Sequence, residues 1–174
     1  MEFKVGSKVF YPSHGAGVIK REKEIEFNGE KKRYFEFELI TNPLSISTPV
    51  DNVENLGIRP ILPTKNVEEA IKILKKTPTI DPKVKDFNMM LKMFKDLEES
   101  SELGASIQII QYCNHVKKVR EKEGRLIPVT IEKQLEGAIR NIVGEMAVSG
   151  GTTLKTASNK FTKITGIEAD VEEE

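Results

Sequence analysis

Asn28-Gly29 sits between two runs of mixed apolar and charged residues, and no other pair constrains this chain as much. Both residues tolerate the positive φ of a type I′ turn, whose twist matches that of paired antiparallel strands. The flanking runs are therefore expected to return on each other as a hairpin. Gly17 to Phe27 reads as the strand before the turn. Arg33 to Ile40 reads as the strand after it, with Phe35, Phe37 and Leu39 alternating onto one face. Val5 to Tyr11 supplies a strand ahead of the hairpin, and Leu44 to Val50 one behind it, with Leu44, Ile46 and Thr48 alternating. Leu56 to Arg59 adds a short fifth. Five short antiparallel strands predict a small, strongly bent β-barrel of SH3 or Tudor type. A flat sheet of this size would leave bare edges.

Pro60 and Pro63 end this pattern, and helical periodicity follows. Asn66 with Glu69 three residues on suggests a capping box for a helix to Lys76. Asp81-Pro82 opens a second helix to about Glu99. A third runs from about Glu102 to Glu123 and stops at Gly124. Thr130 opens a fourth, which carries Leu135, Ile139, Ile142 and Met146 on one side and ends at Gly150-Gly151. Thr152 or Thr153 opens a last short helix to about Ile164. The fold class is α+β: a β module over 1–63, an all-helical domain of about five helices over 64–167, and an acidic, disordered tail over 168–174.

Of 174 residues, 31% are charged and the formal net charge is zero, a globular composition. No apolar run approaches the roughly 20 residues that span a bilayer. The start, MEFKVGSKVF, lacks the apolar core of a signal peptide. One cysteine, Cys113, excludes an internal disulfide and fits a reducing compartment, so the cytoplasm is the expected location. The charge is unevenly spread. Residues 1–63 hold nine cations and nine acids, residues 64–167 eighteen and thirteen, and EADVEEE at the end holds five acids. A basic body with an acidic tail offers a nucleic-acid face; a solvated surface with a frayed end has the same arithmetic.

VFYPSHGAGVI, residues 9–19, carries Gly15 and Gly17. A dinucleotide fingerprint needs a third glycine opening a helix, but position 20 is Lys20 within a strand pattern. No phosphate-binding P-loop sequence occurs. His14, His115 and Cys113 have no metal-ligand spacing. Cys113 shares helical spacing with Ile109, Ile110 and Val116, which marks a buried structural thiol. His14 reads as part of a turn after Tyr11-Pro12, with Gly15 supplying permissive backbone. The sequence offers no catalytic residues, cofactor or metal site, and a non-enzymatic role is expected.

Several segments, in order, resemble the CarD family of bacterial transcription regulators. They are FKVGSKVFYPSHGAGVI at 3–19, NGEKKRYFEFEL at 28–39 and LSISTPVDNVENLGIRP at 44–60, the last with Pro49, Asn55, Gly57 and Arg59 in pattern. KVREKEGRLIPVTIEKQLEGAIRNIVGEM at 118–146 follows more loosely. The resemblance implies a Tudor-like module that docks on the RNA polymerase β subunit. It also implies a helical domain that contacts promoter DNA at the upstream edge of the melted region. There a tryptophan wedges into the minor groove and stabilises the open complex. The implied protein is a monomer, cytoplasmic and nucleoid-associated.

This chain departs from the pattern at two places. It has no tryptophan. Phe87 takes the wedge position, yet Phe87, Leu91 and Phe94 also have core spacing on one helix. Where relatives carry docking arginines on the second and fourth strands, this chain has Ile25 or its neighbour Lys23, and Ser47, with Arg21 and Lys23 as substitute cations. Lys83 and Lys85 near the wedge, and His115, Lys118, Lys122 and Arg125 on and just beyond helix three, are the expected phosphate contacts. Polymerase-independent, sequence-nonspecific DNA binding and a protein-interaction adaptor are the alternative roles.

Overall fold

The computed structural model describes residues 2–76 and 87–172, except for the side chain of Phe87. Five strands form one antiparallel sheet: β1 (Lys8–Tyr11), β2 (Gly15–Phe27), β3 (Glu30–Leu39), β4 (Ile46–Pro49) and β5 (Arg59–Pro60), in the order β4-β3-β2-β1-β5. Asn28 and Gly29 take φ of 53° and 77°, so the expected type I′ hairpin forms and sets the β2–β3 register from Phe27↔Glu30 inward. A bulge between Ile19 and Arg21 then shifts the pairing. Such bulges increase local twist.

The sheet is antiparallel and five-stranded as expected, but it does not close into the small, bent barrel of SH3 or Tudor type. Among the described residues β4 pairs only with β3 and β5 only with β1, so the sheet is open. Two causes are local. Pro49 ends β4 and Pro60 ends β5, and proline has no N–H to extend a ladder. The third cause is tertiary. One face of the sheet closes on its own cluster of Val9, Tyr11, Ile19, Phe35, Phe37, Leu39, Val53 and Ile58. The other face meets a helix through Phe10, Ala16 and Val148, so no strand is needed there. Of the residues expected to alternate on the fourth strand, Thr48 is buried but Leu44 is 68% exposed and precedes β4.

Helices α1 (Thr64–Ile71), α2 (Phe87–Glu99), α3 (Leu103–Lys122), α4 (Val129–Gly150) and α5 (Leu154–Thr165) follow. The Asn66/Glu69 capping box does not form. Pro63 is the N-cap, and its carbonyl accepts from the Asn66 and Val67 amides. Proline presets φ for that entry, and a short 3-10 turn over Lys72–Lys75 ends the segment. Gly124 (φ 66°) and Gly151 (φ 62°) terminate α3 and α4 in the left-handed conformation, as their positions predict. Thr153 caps α5 by accepting from the Thr156 amide. The Asp81-Pro82 start lies outside the described residues.

The helical core gathers Val67, Ile71, Phe94, Ile110, Cys113, Ile142 and Phe161. On α4, Leu135, Ile139, Ile142 and Met146 are all buried, as their spacing predicts. On α2 the inward residues are Met90 and Phe94, whereas Leu91 is 37% exposed and does not join the core. Within the segment expected as a free acidic tail, Val171 is buried and its amide bonds Ser158 Oγ at 3.2 Å. Apolar residues alternate with acids there, which lets residues 167–172 lie along α5.

Candidate protein and nucleic-acid interface

A strand presents alternate residues to opposite faces. After the β2 bulge, Arg21, Lys23 and Ile25 therefore share one face, away from Phe35 and Phe37. Arg21 pairs in register with Glu36, and Glu36 with Ser47. Three of the four residues expected at a docking surface thus meet around one carboxylate. Arg21 donates to both oxygens of Glu36, from Nε at 2.8 Å and Nη2 at 2.9 Å, and Lys23 Nζ donates at 3.4 Å. Glu36 is 6% exposed although it lies on the outer face. The Arg21 hydrogen bond holds its carboxyl below the ordinary carboxylate range, and the same bond raises the Arg21 guanidinium above its own. The two basic side chains form a roof over Glu36, and Ser47 is exposed beside it on the edge strand.

Ile25, opposite Lys32, continues this face toward the hairpin tip. There Ile25 is 39% and Phe27 74% exposed. Together with Asn28, Glu30, Lys32 and Tyr34 they line a shallow cavity of about 310 Å³. The face therefore grades from paired charges at the centre of the sheet to apolar side chains at the tip. β4 borders it with an edge that bonds no further strand among the described residues. Such an edge can accept a partner strand.

The residues expected on DNA are less completely placed. Lys83 and Lys85 lie outside the described residues, as does the side chain of Phe87, the first residue of α2. On α3, Lys118 and Lys122 are exposed one turn apart and His115 is half-buried behind them. Arg125 lies beyond the helix end and bonds Glu123 at 3.2 Å. Arg120 Nη1 donates to the Leu126 carbonyl at 3.0 Å, which ties the α3–α4 turn. That turn holds up Leu126 at 90% exposure.

The Tyr-Pro-Ser-His-Gly turn buries Tyr11 and Gly15 at its ends and leaves Ser13 and His14 exposed. Tyr11 pairs with Gly15 around a three-residue loop, with Ser13 at φ 65° and Gly15 at φ 100°. His14 stacks edge-on to Tyr11, ring centroids 5.1 Å apart, and Tyr11 Oη lies 3.0 Å from Thr48 Oγ1. Beyond the turn, His14 and Ser13 line a cleft of about 340 Å³ with Gln134 and Asn141 of α4 and Glu98 of α2. The segment therefore serves the junction with the helices. Cys113 is fully buried, and burial pushes its thiol up to about 12.

Sequence reasoning missed the strongest polar contact. Arg59 of β5 donates to both oxygens of Glu145 of α4, at 2.7 and 2.8 Å, and from Nε to the Ser101 carbonyl at 2.7 Å. Its guanidinium carbon lies 4.6 Å from the Phe10 ring centroid. Glu145 also accepts from the Leu62 amide at 3.1 Å. A signal was present: Glu145 is the one acid in Ile142–Val148, a run otherwise small or apolar. A carboxylate in a buried run requires a cation.

Comparison with known proteins adds two findings. Residues 3–62 match the family model described as the CarD-like/TRCF RID domain. The chain is also similar to a protein of Bacillus subtilis (strain 168) named "Putative transcription factor YdeB", at 22% identity over 153 residues, which covers 88% of this chain and 95% of the relative.

Proposed function

From the match of residues 3–62 to the CarD-like/TRCF RID domain we propose a non-enzymatic regulator that docks on the RNA polymerase β subunit and stabilises the open promoter complex. The family match and the relative's name support a role in transcription. The observation that carries the docking reading is the outer sheet face: Arg21, Lys23 and Ser47 gathered around Glu36, an apolar hairpin tip, and β4 as a free edge. A partner strand added to β4 would gain backbone hydrogen bonds, while Ile25 and Phe27 offer apolar contact at the rim. The helical half then contacts promoter DNA upstream of the melted region. Lys118 and Lys122, with Lys83 and Lys85, hold phosphates, and Phe87 enters the minor groove.

The test uses the full chain. It should capture the polymerase β subunit and lengthen the open-complex lifetime. Absence of both effects ends this reading. Phe87→Ala should shorten that lifetime with the melting temperature unchanged. A destabilisation as large as that of Phe94→Ala would assign Phe87 to the core instead.

One observation favours a second reading. Arg21, the arginine at the proposed docking face, is already held by both oxygens of Glu36 and is less available to a partner. DNA binding without polymerase would then rest on the exposed cations of α3. Its affinity would fall steeply with salt and depend little on sequence.

A further inference from the structure

Among the described residues, α5 is the one α-helix with cations and no acid: it carries Lys155, Lys160 and Lys163. Leu154, Ala157, Ser158, Phe161 and Thr165 turn into the core, leaving Lys155, Thr156, Asn159, Lys160 and Lys163 outside. Lys160 is engaged by Glu68 of α1. The chain then reverses. The Ala169 amide donates to Thr162 Oγ1 and the Val171 amide to Ser158 Oγ, each at 3.2 Å, so residues 167–172 run back along α5. Ile167, Ala169 and Val171 turn inward, and Glu168, Asp170 and Glu172 turn out. Lys155 lines one cleft of about 330 Å³ with Asp170 and Glu172.

With Lys160 engaged by Glu68, Lys155 is the α5 lysine that shares a cleft with strap acids, Asp170 and Glu172, while Lys163 stays exposed on the outer face. Alternate residues of an extended segment lie about 7 Å apart on one side, so three like charges there repel unless cations neutralise them. The outer face of α5 has no apolar side chain that could enter a lipid interface. Its Lys, Thr and Asn side chains are the types that contact sugar and phosphate.

We propose that the lysine face of α5 is a phosphate-backbone site for nucleic acid, and that residues 167–172, which lie along its Lys155 edge, act as a displaceable acidic competitor for it. The inference rests on the DNA-binding reading above and adds a regulated surface to it. The apolar residues Ile167, Ala169 and Val171 hold the strap in place; the acids set how strongly it competes.

The experiment is a fluorescence-anisotropy titration of a labelled mixed-sequence duplex with the full chain, across a salt series. The variant E168Q/D170N/E172Q keeps the inward residues and removes the three charges. It should bind about tenfold tighter at ~50 mM salt, with a steeper salt slope, because more phosphates are neutralised. Adding K155Q/K163Q should return affinity to near the starting value. Neutralising Glu26, Asp51 and Glu54 on the sheet domain, an equal change in net charge, should give no such gain. If the wild-type chain binds and the strap variant binds no better, the strap proposal is wrong while the DNA-binding reading stands. A gain that survives K155Q/K163Q, or that the sheet-domain control reproduces, also overturns it. Absence of binding by every form removes both.

Discussion

Arg59 and Glu145, 86 residues apart in sequence, form a two-pronged ion pair that joins β5 to α4. Both are largely buried, with side-chain exposures of 16% and 1%. Ser101 and Leu62 complete the hydrogen bonding around them. The pair therefore fixes the sheet on the helices through several groups at once. Removing one partner leaves the other charge buried and unpaired. Arg59→Ala or Glu145→Ala is expected to cost ~3–5 kcal/mol, read as a lower denaturant midpoint. Arg59→Lys should recover only part of it, since an ammonium cannot bridge two oxygens and a carbonyl in one plane.

Gly17 is a second point where backbone geometry leaves no choice. A Cβ there would lie 2.2 Å from the Glu38 carbonyl oxygen and 2.9 Å from Leu39 Cα. Both are backbone atoms of the paired strand, so β2 and β3 would have to separate. Gly17→Ala is expected to destabilise by roughly 1–3 kcal/mol, the range for an overpacked site, although alanine is small. Equilibrium urea denaturation checks it. At Gly29, where nothing lies within 4 Å and φ is +77°, the same change costs only the left-handed strain, about 1–2 kcal/mol.

Glu36 predicts a pH dependence. Its carboxyl is held below the ordinary range first by the Arg21 hydrogen bond. The folded state therefore binds that proton less readily than the unfolded state. The stabilisation is present above the unfolded carboxylate value and is lost as pH falls through the lower folded value. Side-chain NMR should show Glu36 titrating below the exposed glutamates. Arg21→Ala should move that midpoint upward, and an unmoved midpoint would contradict the assigned cause.

Cys113 predicts behaviour at the alkaline end. Its folded thiol is pushed up to about 12 from an ordinary 9.0 by burial alone. Below the unfolded value this group costs nothing. Above it the unfolded state ionises first, and its contribution is lost as pH rises toward the folded value. A thiol-specific reagent should therefore leave the native protein unmodified at neutral pH and label it once urea unfolds it. Rapid native-state labelling would show that α3 opens locally.

Phe94 tests the helical core. It is 1% exposed and meets Tyr112 edge-on, ring centroids 5.6 Å apart. Phe94→Ala should cost ~3–5 kcal/mol by thermal or chemical unfolding. It also provides the internal standard against which Phe87→Ala is judged.

How much of this was legible in the chain varies with the range of the interaction. Asn28-Gly29 fixed a hairpin because two adjacent φ angles determine a turn. Gly124, Gly151 and Thr153 marked helix ends for the same local reason. Phe35, Phe37 and Leu39 were readable as core because a period of two puts them on one face. Arg21, Lys23 and Ser47 were legible as candidates only through family resemblance. Their convergence on Glu36 was not, because it depends on a register that the Ile19/Arg21 bulge sets. Asn66 and Glu69 showed the limit of local signals: Pro63 captured the helix start three residues earlier.

By itself the sequence determined the hairpin, the helix ends, the switch from strand to helix after Pro60, and the apolar face of each element. Each is a matter of neighbouring dihedrals or of side-chain period. The tertiary structure alone decided that the sheet stays open, that α4 packs on one end of its second face at Phe10 and Ala16, that Arg59 finds Glu145, and that Val171 draws an acidic strap onto α5. These are choices among partners distant in sequence. They are settled by which buried charges find a counter-charge and which apolar faces fit together, and no local pattern encodes that.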